Sequence, residues 1–391
     1  MPHRTHYRLP AARRGRGGRF LWWLAIIILG VGGWLWWTTG TGDKPAPTKL
    51  PARVVATPPT PAPPATNVVA KRTAPPTTLL PRPQVIPRST TKAAVPESTL
   101  ASAATSFPRP PRDPLETQIA LGRRAISSGS VDGVNGSQTR AALAAFQSKA
   151  GTSPPVELNA SAPSALSLDS SPLTTYTVTS NDLARLQPLS KTWLGKSQQT
   201  ALDYETILEL VAEKAHASPT LIRRLNPAVN WSNIVADTAV QIPAVGYPPP
   251  TKAAFATIEL AEKRLQVFDR GTNLLAHFPC SIAARVEKRP AGELHVTAIA
   301  PNPNYTFDPE VFPESDEARQ IKTKLILPPG PNNPVGTAWI SLDKPGYGMH
   351  GTPNPEQVGR TESHGCFRLA NWNAEYLVQL VWVGMPVYVE P

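Results

Sequence analysis

The sequence predicts a chain tethered to a membrane and ending in a mostly β domain with one C-terminal helix. Three observations predict it: an uncharged apolar run at residues 20–39, a proline-rich stretch that follows, and strand-like alternation from Ala253 onward. Between the stretch and the β domain lie two small modules, one α-helical and one α+β.

The first element is a basic segment, residues 1–19, carrying Arg13, Arg14, Arg16 and Arg19. Residues 20–39 then match the ~20 apolar residues that cross a bilayer core as a helix. Trp22, Trp23, Trp34, Trp36 and Trp37 stand towards its ends, where indole rings suit the membrane interface. The upstream arginines predict a cytoplasmic N-terminus and everything downstream outside. No A-x-A site follows the run, which argues against a cleaved signal.

Residues 40–112 form a linker, with 17 prolines between Asp43 and Arg112 and almost no aromatic side chain. Such a stretch cannot bury enough apolar area to offset its conformational entropy, so an extended, solvated tether is expected. The charge balance separates here. Residues 1–112 carry +14 and residues 113–391 carry −3, although the whole chain stands at +11. With no basic stripe on the folded part, the sequence excludes nucleic acid as a partner. Two cysteines in 391 residues likewise exclude a disulfide scaffold.

Residues 113–153 read as two helices, Leu115 to Ile126 and Gln138 to Ala150, the second capped by Ser137 and carrying Ala142, Leu143 and Phe146 on one stripe. The turn-rich Val131-Asp132-Gly133-Val134-Asn135-Gly136 joins them. Gly129, this loop, Thr139, Ala142, Leu143, Phe146 and Gln147 resemble the peptidoglycan-binding-like module of cell-wall enzymes. Residues 175–245 hold a helix with Ile207, Leu210, Val211 and Ala215, a second one started by Ser218-Pro219, and a strand at Val240 to Pro243. The order resembles a LysM carbohydrate-binding module whose first strand is Thr175 to Val178. An inserted stretch around Trp193 departs from that plan.

The last domain, residues 251–391, predicts strands at Phe255–Leu260, Leu265–Asp269, Leu274–Ile282, Leu294–Ile299, Ala338–Leu342 and Pro386–Val389. One helix begins near Asn371, with Tyr376, Leu377, Leu380 and Val381 on one face. Met349-His350-Gly351-Thr352, a short loop, and Ser363-His364-Gly365-Cys366-Phe367-Arg368-Leu369 carry the chemistry. A cysteine thiol is the strongest side-chain nucleophile near neutral pH once a base takes its proton, and two histidines stand beside it in sequence. This order resembles the L,D-transpeptidase catalytic domain of bacterial cell-wall enzymes, over roughly Pro250 to Pro391.

The resemblance implies a β-sandwich with one C-terminal helix and an acyl transfer that joins peptidoglycan stem peptides, without cofactor or metal. It implies Cys366 as nucleophile and His350 as general base, with the Gly351 carbonyl orienting the far ring nitrogen. The N–H groups of His364, Gly365 and Cys366 would face the developing oxyanion. Arg368, Ser363, Met349 and Thr352 are the expected substrate contacts. His364 is the alternative base, and a metal site with His295 the alternative use of His350, His364 and Cys366. Cys280 reads as a small buried hydrophobe, with pairing to Cys366 as its alternative. An L,D-carboxypeptidase, or a non-catalytic envelope tether, is the alternative function. Pro301 to Glu317, rich in proline, aromatics and acids, reads as a wall of the substrate groove.

Overall fold

The structure, a computed structural model, describes residues 106–149, 166–312, 315–363 and 365–391. The basic segment, the membrane run and the linker lie outside the described residues, as does His364. Among the described residues no helix is long and apolar enough to cross a membrane.

Helices α1 (Pro114–Gly122) and α2 (Ser137–Lys149) form the first module. Asp113 caps α1 by accepting from the Glu116 N–H, and Pro114 occupies the first turn, where its missing donor costs nothing. The helix ends four residues earlier than expected, because Ala125 turns with a φ of 56° and leads Ile126 beside His277. In the second module β1 (Leu173–Thr177) pairs antiparallel with β2 (Ala239–Pro243). Between them run α3 (Ser180–Ala184), α4 (Trp193–Ser197), α5 (Ile207–Lys214) and α6 (Pro219–Leu225). Ile119, Leu143 and Phe146 of the first module share one core with Leu210, Val211, Ile222 and Val240 of the second. The two modules therefore bury their apolar faces against each other.

The C-terminal domain comprises β3 (Phe255–Glu259), β4 (Arg264–Phe268), β5 (Leu274–Pro279), β6 (Gly292–Pro301), β7 (Tyr305–Phe307), α7 (Asp316–Gln320), β8 (Leu325–Leu327), β9 (Ala338–Leu342), β10 (Gly348–His350), β11 (Phe367–Arg368), α8 (Asn371–Leu380) and β12 (Pro386–Glu390). Instead of the two separate sheets of a sandwich, eight strands join in one, in the order β11-β10-β9-β6-β12-β3-β4-β5. The sheet curls until its ends meet. Beyond β5, Ser281 exchanges backbone hydrogen bonds with Arg368 of β11 at 2.9 and 3.0 Å, and Ala283 bridges to Ser363. Helix α8 fills the interior, packing Ala374, Tyr376 and Leu377 with Ile258, Val267, Phe278, Ile340 and Phe367.

Pro301 to Glu317 is not a plain loop. It opens the β7–β8 hairpin, whose Phe307 and Leu327 form a small third core with Leu202. Trp193 of the inserted helix α4 stacks on Phe307 at 4.3 Å between ring centroids, so the insertion braces this hairpin.

Candidate active site

Strand β10 pairs antiparallel with β9 and parallel with β11, which sets Met349 beside Phe367 and His350 beside Arg368. Because side chains alternate along a strand, Met349 and Phe367 both enter the core, each 0% exposed. His350 and Arg368 consequently share the opposite face, and Cys366 stands immediately before β11. The sequence reading of Met349 as a substrate contact is corrected by that alternation: it is a core residue.

The His350 Nδ1 lies 2.6 Å from the Gly351 carbonyl oxygen. A carbonyl only accepts, so Nδ1 carries the proton and Nε2 keeps its lone pair for a thiol. Burial pulls the His350 pKa down to about 4, against the raising effect of the Gly351 carbonyl, and the Arg368 charge lowers it further. The imidazole is thus neutral at pH 7. Burial also pushes the Cys366 thiol above its ordinary value, while the Gly348 N–H works the other way. The thiol donates to the Gly346 carbonyl at 3.4 Å. A neutral thiol and a neutral imidazole on neighbouring segments suit proton transfer during attack better than a standing thiolate–imidazolium pair.

Ser363, expected to touch substrate, spends its hydroxyl on its own loop, donating to the Cys366 carbonyl at 2.5 Å and accepting from the Gly365 N–H at 3.3 Å. That bond turns the Gly365 N–H inward. Thr352 is buried, and its hydroxyl accepts from the Asn354 N–H at 3.3 Å, shaping the turn after His350. Arg368 donates to the Glu362 carbonyl and to the Thr361 hydroxyl, at 3.2 Å for the latter, while its buried Nε has no partner. The guanidinium is therefore committed first to the loop that carries Cys366.

Both cysteines are free. Cys280 is fully buried, and its thiol is pushed far up by that burial. His295 stands beside Asp343 at 3.0 Å and Glu293 at 3.3 Å, and among the described residues no cluster able to hold a metal ion is present.

Three neighbours add to the sequence reading, one of them, Tyr305, from the 301–317 segment expected to wall the groove. Trp339, the β9 partner of His350, lies against its ring at 5.5 Å between centroids. Tyr305 has its pKa pushed up to about 12 by burial and then by the charge of Cys366, which places it near the thiol. Asn371 sits behind the Gly351 backbone, where a Cβ on Gly351 would meet its Oδ1 at 2.3 Å. Register across β9 and β10 was the available signal for Trp339; the other two come from folding at long range.

A curled sheet that carries an Nδ1-protonated histidine on β10 and a cysteine just ahead of the neighbouring β11 defines a domain able to carry cysteine-based acyl transfer. Residues 253–389 match the L,D-transpeptidase catalytic domain, YkuD. A relative named putative L,D-transpeptidase YkuD, from Bacillus licheniformis, is 25% identical over 184 residues, covering 47% of this chain and 93% of its own. One named probable L,D-transpeptidase YbiS, from Escherichia coli, is 27% identical over 191 residues, covering 46% of this chain and 58% of its own. Among solved structures, an L,D-transpeptidase from Mycobacterium smegmatis is 18% identical with a TM-score of 0.29, covering 40% of this chain and 65% of that one.

Proposed function

We propose that this protein is a peptidoglycan L,D-transpeptidase whose nucleophile is Cys366 and whose base is His350. The observation that carries the reading is the Nδ1–H bond to Gly351, which leaves the lone pair on Nε2 of a histidine whose strand pairs with the one that Cys366 precedes. In the first half-reaction the thiol proton passes to His350 Nε2 as Sγ attacks the carbonyl of the third residue of a tetrapeptide stem. His350 returns that proton to the departing D-Ala amine, leaving a thioester on Cys366. In the second, an acceptor amine attacks the thioester, its proton passes through His350 to Sγ, and a new amide forms. With the Gly365 N–H turned to Ser363, the Cys366 N–H is the oxyanion donor in this reading among the described residues, contributing on the order of 3 kcal/mol.

Arg368 contributes by holding the loop that carries Cys366, and its guanidinium is the proposed partner of a substrate carboxylate. Within the 301–317 segment Asp308 pairs with Lys324 at 2.7 Å and Glu317 accepts from the Leu194 N–H at 3.2 Å, so these two carboxylates tie the segment to its neighbours. The segment acts as a braced wall of the groove. The peptidoglycan-binding-like and LysM-like modules, and an anchor at residues 20–39 that places the enzyme outside the cytoplasmic membrane, complete the reading on the strength of the sequence.

The deciding experiment incubates the protein with purified disaccharide tetrapeptides and separates products by mass. A 3-3 linked dimer that disappears in Cys366→Ala supports transfer. Free tripeptide without dimer at high acceptor concentration would make it a carboxypeptidase, and no turnover would leave only the tether.

A further inference from the structure

We propose that Glu213, in helix α5 of the second module, is a positioning residue for the cysteine chemistry, acting through Asn371 on the backbone that orients His350. The inference rests on the cysteine–histidine reading given above.

The connection is continuous in hydrogen bonds and van der Waals contact. Asn371 is fully buried, and its Nδ2 donates to both carboxyl oxygens of Glu213, at 3.0 and 3.2 Å, and to the Pro331 carbonyl at 3.1 Å. This fixes the amide orientation, because only the NH2 side donates, and it aims Oδ1 at the Thr337 N–H, 3.3 Å away. The same Oδ1 fills the space that a Cβ would need at Gly351 and at Gly336, where the distances would be 2.3 and 1.9 Å. Asn371 is therefore wedged against the peptide whose carbonyl receives the His350 Nδ1–H.

Glu213 reaches the site by a second route. It borders a cavity of about 150 Å³ whose far wall is Pro353 to Gln357, within the loop that joins His350 to Cys366. Neighbouring bonds hold the module in place independently of Glu213: Asn332 donates to Glu209 at 2.6 Å, and Leu202 shares backbone bonds with Pro329 and Asn332. The interface thus persists when Glu213 is changed. What Glu213 adds is the acceptor that sets which way Asn371 faces. If the amide turned over, an NH2 group would meet the Thr337 N–H and Gly351, and the peptide behind His350 would shift.

The test follows acylation of Cys366 by a carbapenem in the full-length protein, by intact mass, resolving the saturating rate from the concentration at half-saturation. Glu213→Leu removes the acceptor and is expected to lower the saturating rate tenfold or more. The half-saturation concentration should stay within about twofold, and the acid limb that reports His350 should move. Glu213→Gln keeps an acceptor for Asn371 Nδ2 and is expected to restore the rate to within about threefold of wild type. If Glu213→Leu does not fold, Glu213→Asp, one methylene too short to reach Asn371, replaces it under the same expectations. Wild-type rates and an unmoved acid limb in the Leu or Asp variant overturn the inference alone, as does equal loss in the Gln variant. A wild-type protein that forms no adduct, or an adduct that survives Cys366→Ala, overturns this inference together with the reading beneath it.

Discussion

The pH dependence of Cys366 acylation separates two mechanisms that share the same residues. The ordinary thiol pKa is 9.0 and burial raises that of Cys366, so at pH 7 the thiolate is at most about 1% of the population. Were that fraction the reacting species, the saturating rate would climb tenfold per pH unit, about a hundredfold between pH 6 and 8. Base-assisted attack behaves differently, because the titration that matters is that of His350, near pH 4. Its acid limb is complete by about pH 6, and the rate should change less than about twofold from there to pH 8. The assay is rapid mixing with saturating carbapenem across pH 4 to 9, quenched and read by intact mass. His350→Ala should convert the plateau into a line of unit slope and lower the neutral rate by about 10² or more. A line of unit slope in the unaltered protein between pH 6 and 8 would refute the neutral-pair argument.

Other consequences are measurable in the same protein. Cys280→Ala should leave acylation unchanged and the adduct confined to Cys366, since Cys280 is fully buried with its thiol pushed up; mass mapping of the adduct checks this. Glu213, whose carboxyl is raised from 4.5 to about 8 chiefly by burial, with Tyr204, Glu209 and Glu375 near it, keeps in the folded state a proton that the unfolded chain releases. Stability should therefore fall as pH rises from about 5 to 8, by as much as ~1.4 kcal/mol per pH unit, and Glu213→Gln should flatten that fall in urea unfolding. An equal fall in the Gln variant would show that the carboxyl does not titrate in that window. Trp193→Ala removes the stack on Phe307 and should cost about 2 kcal/mol in thermal unfolding while raising KM for the stem peptide; an unchanged KM would separate the hairpin from substrate binding.

Local chemistry was legible in the sequence, and long-range assembly was not. Alternation along Phe255–Leu260 and Leu265–Asp269 predicts strands β3 and β4 to within a residue, and the last helix starts at Asn371, although the cap expected near that residue falls on Ala370 without a side-chain bond. The bond from His350 to its own neighbour Gly351 is a contact between adjacent residues, so a motif suffices to anticipate it. Met349 was misjudged because a motif reads as a string of equals, whereas a strand sends every second side chain to the other face. The hydroxyl of Ser363 folds back three residues to the Cys366 carbonyl, a loop geometry that spacing does not specify. Trp193 and Glu213 meet partners more than a hundred residues away, and no periodicity reports such meetings.

The seam where Ser281 and Ala283 meet Arg368 and Ser363 also bears on solubility. A sheet left open would end on two strands with unpaired peptide groups, one of them only two residues long and adjoining the nucleophile. Such borders invite other chains to pair with them. Joining the borders to each other satisfies both at once. The nucleophile is thereby carried on a segment that would otherwise be the sheet's stickiest margin, and the seam that shields that margin also holds the cysteine in place.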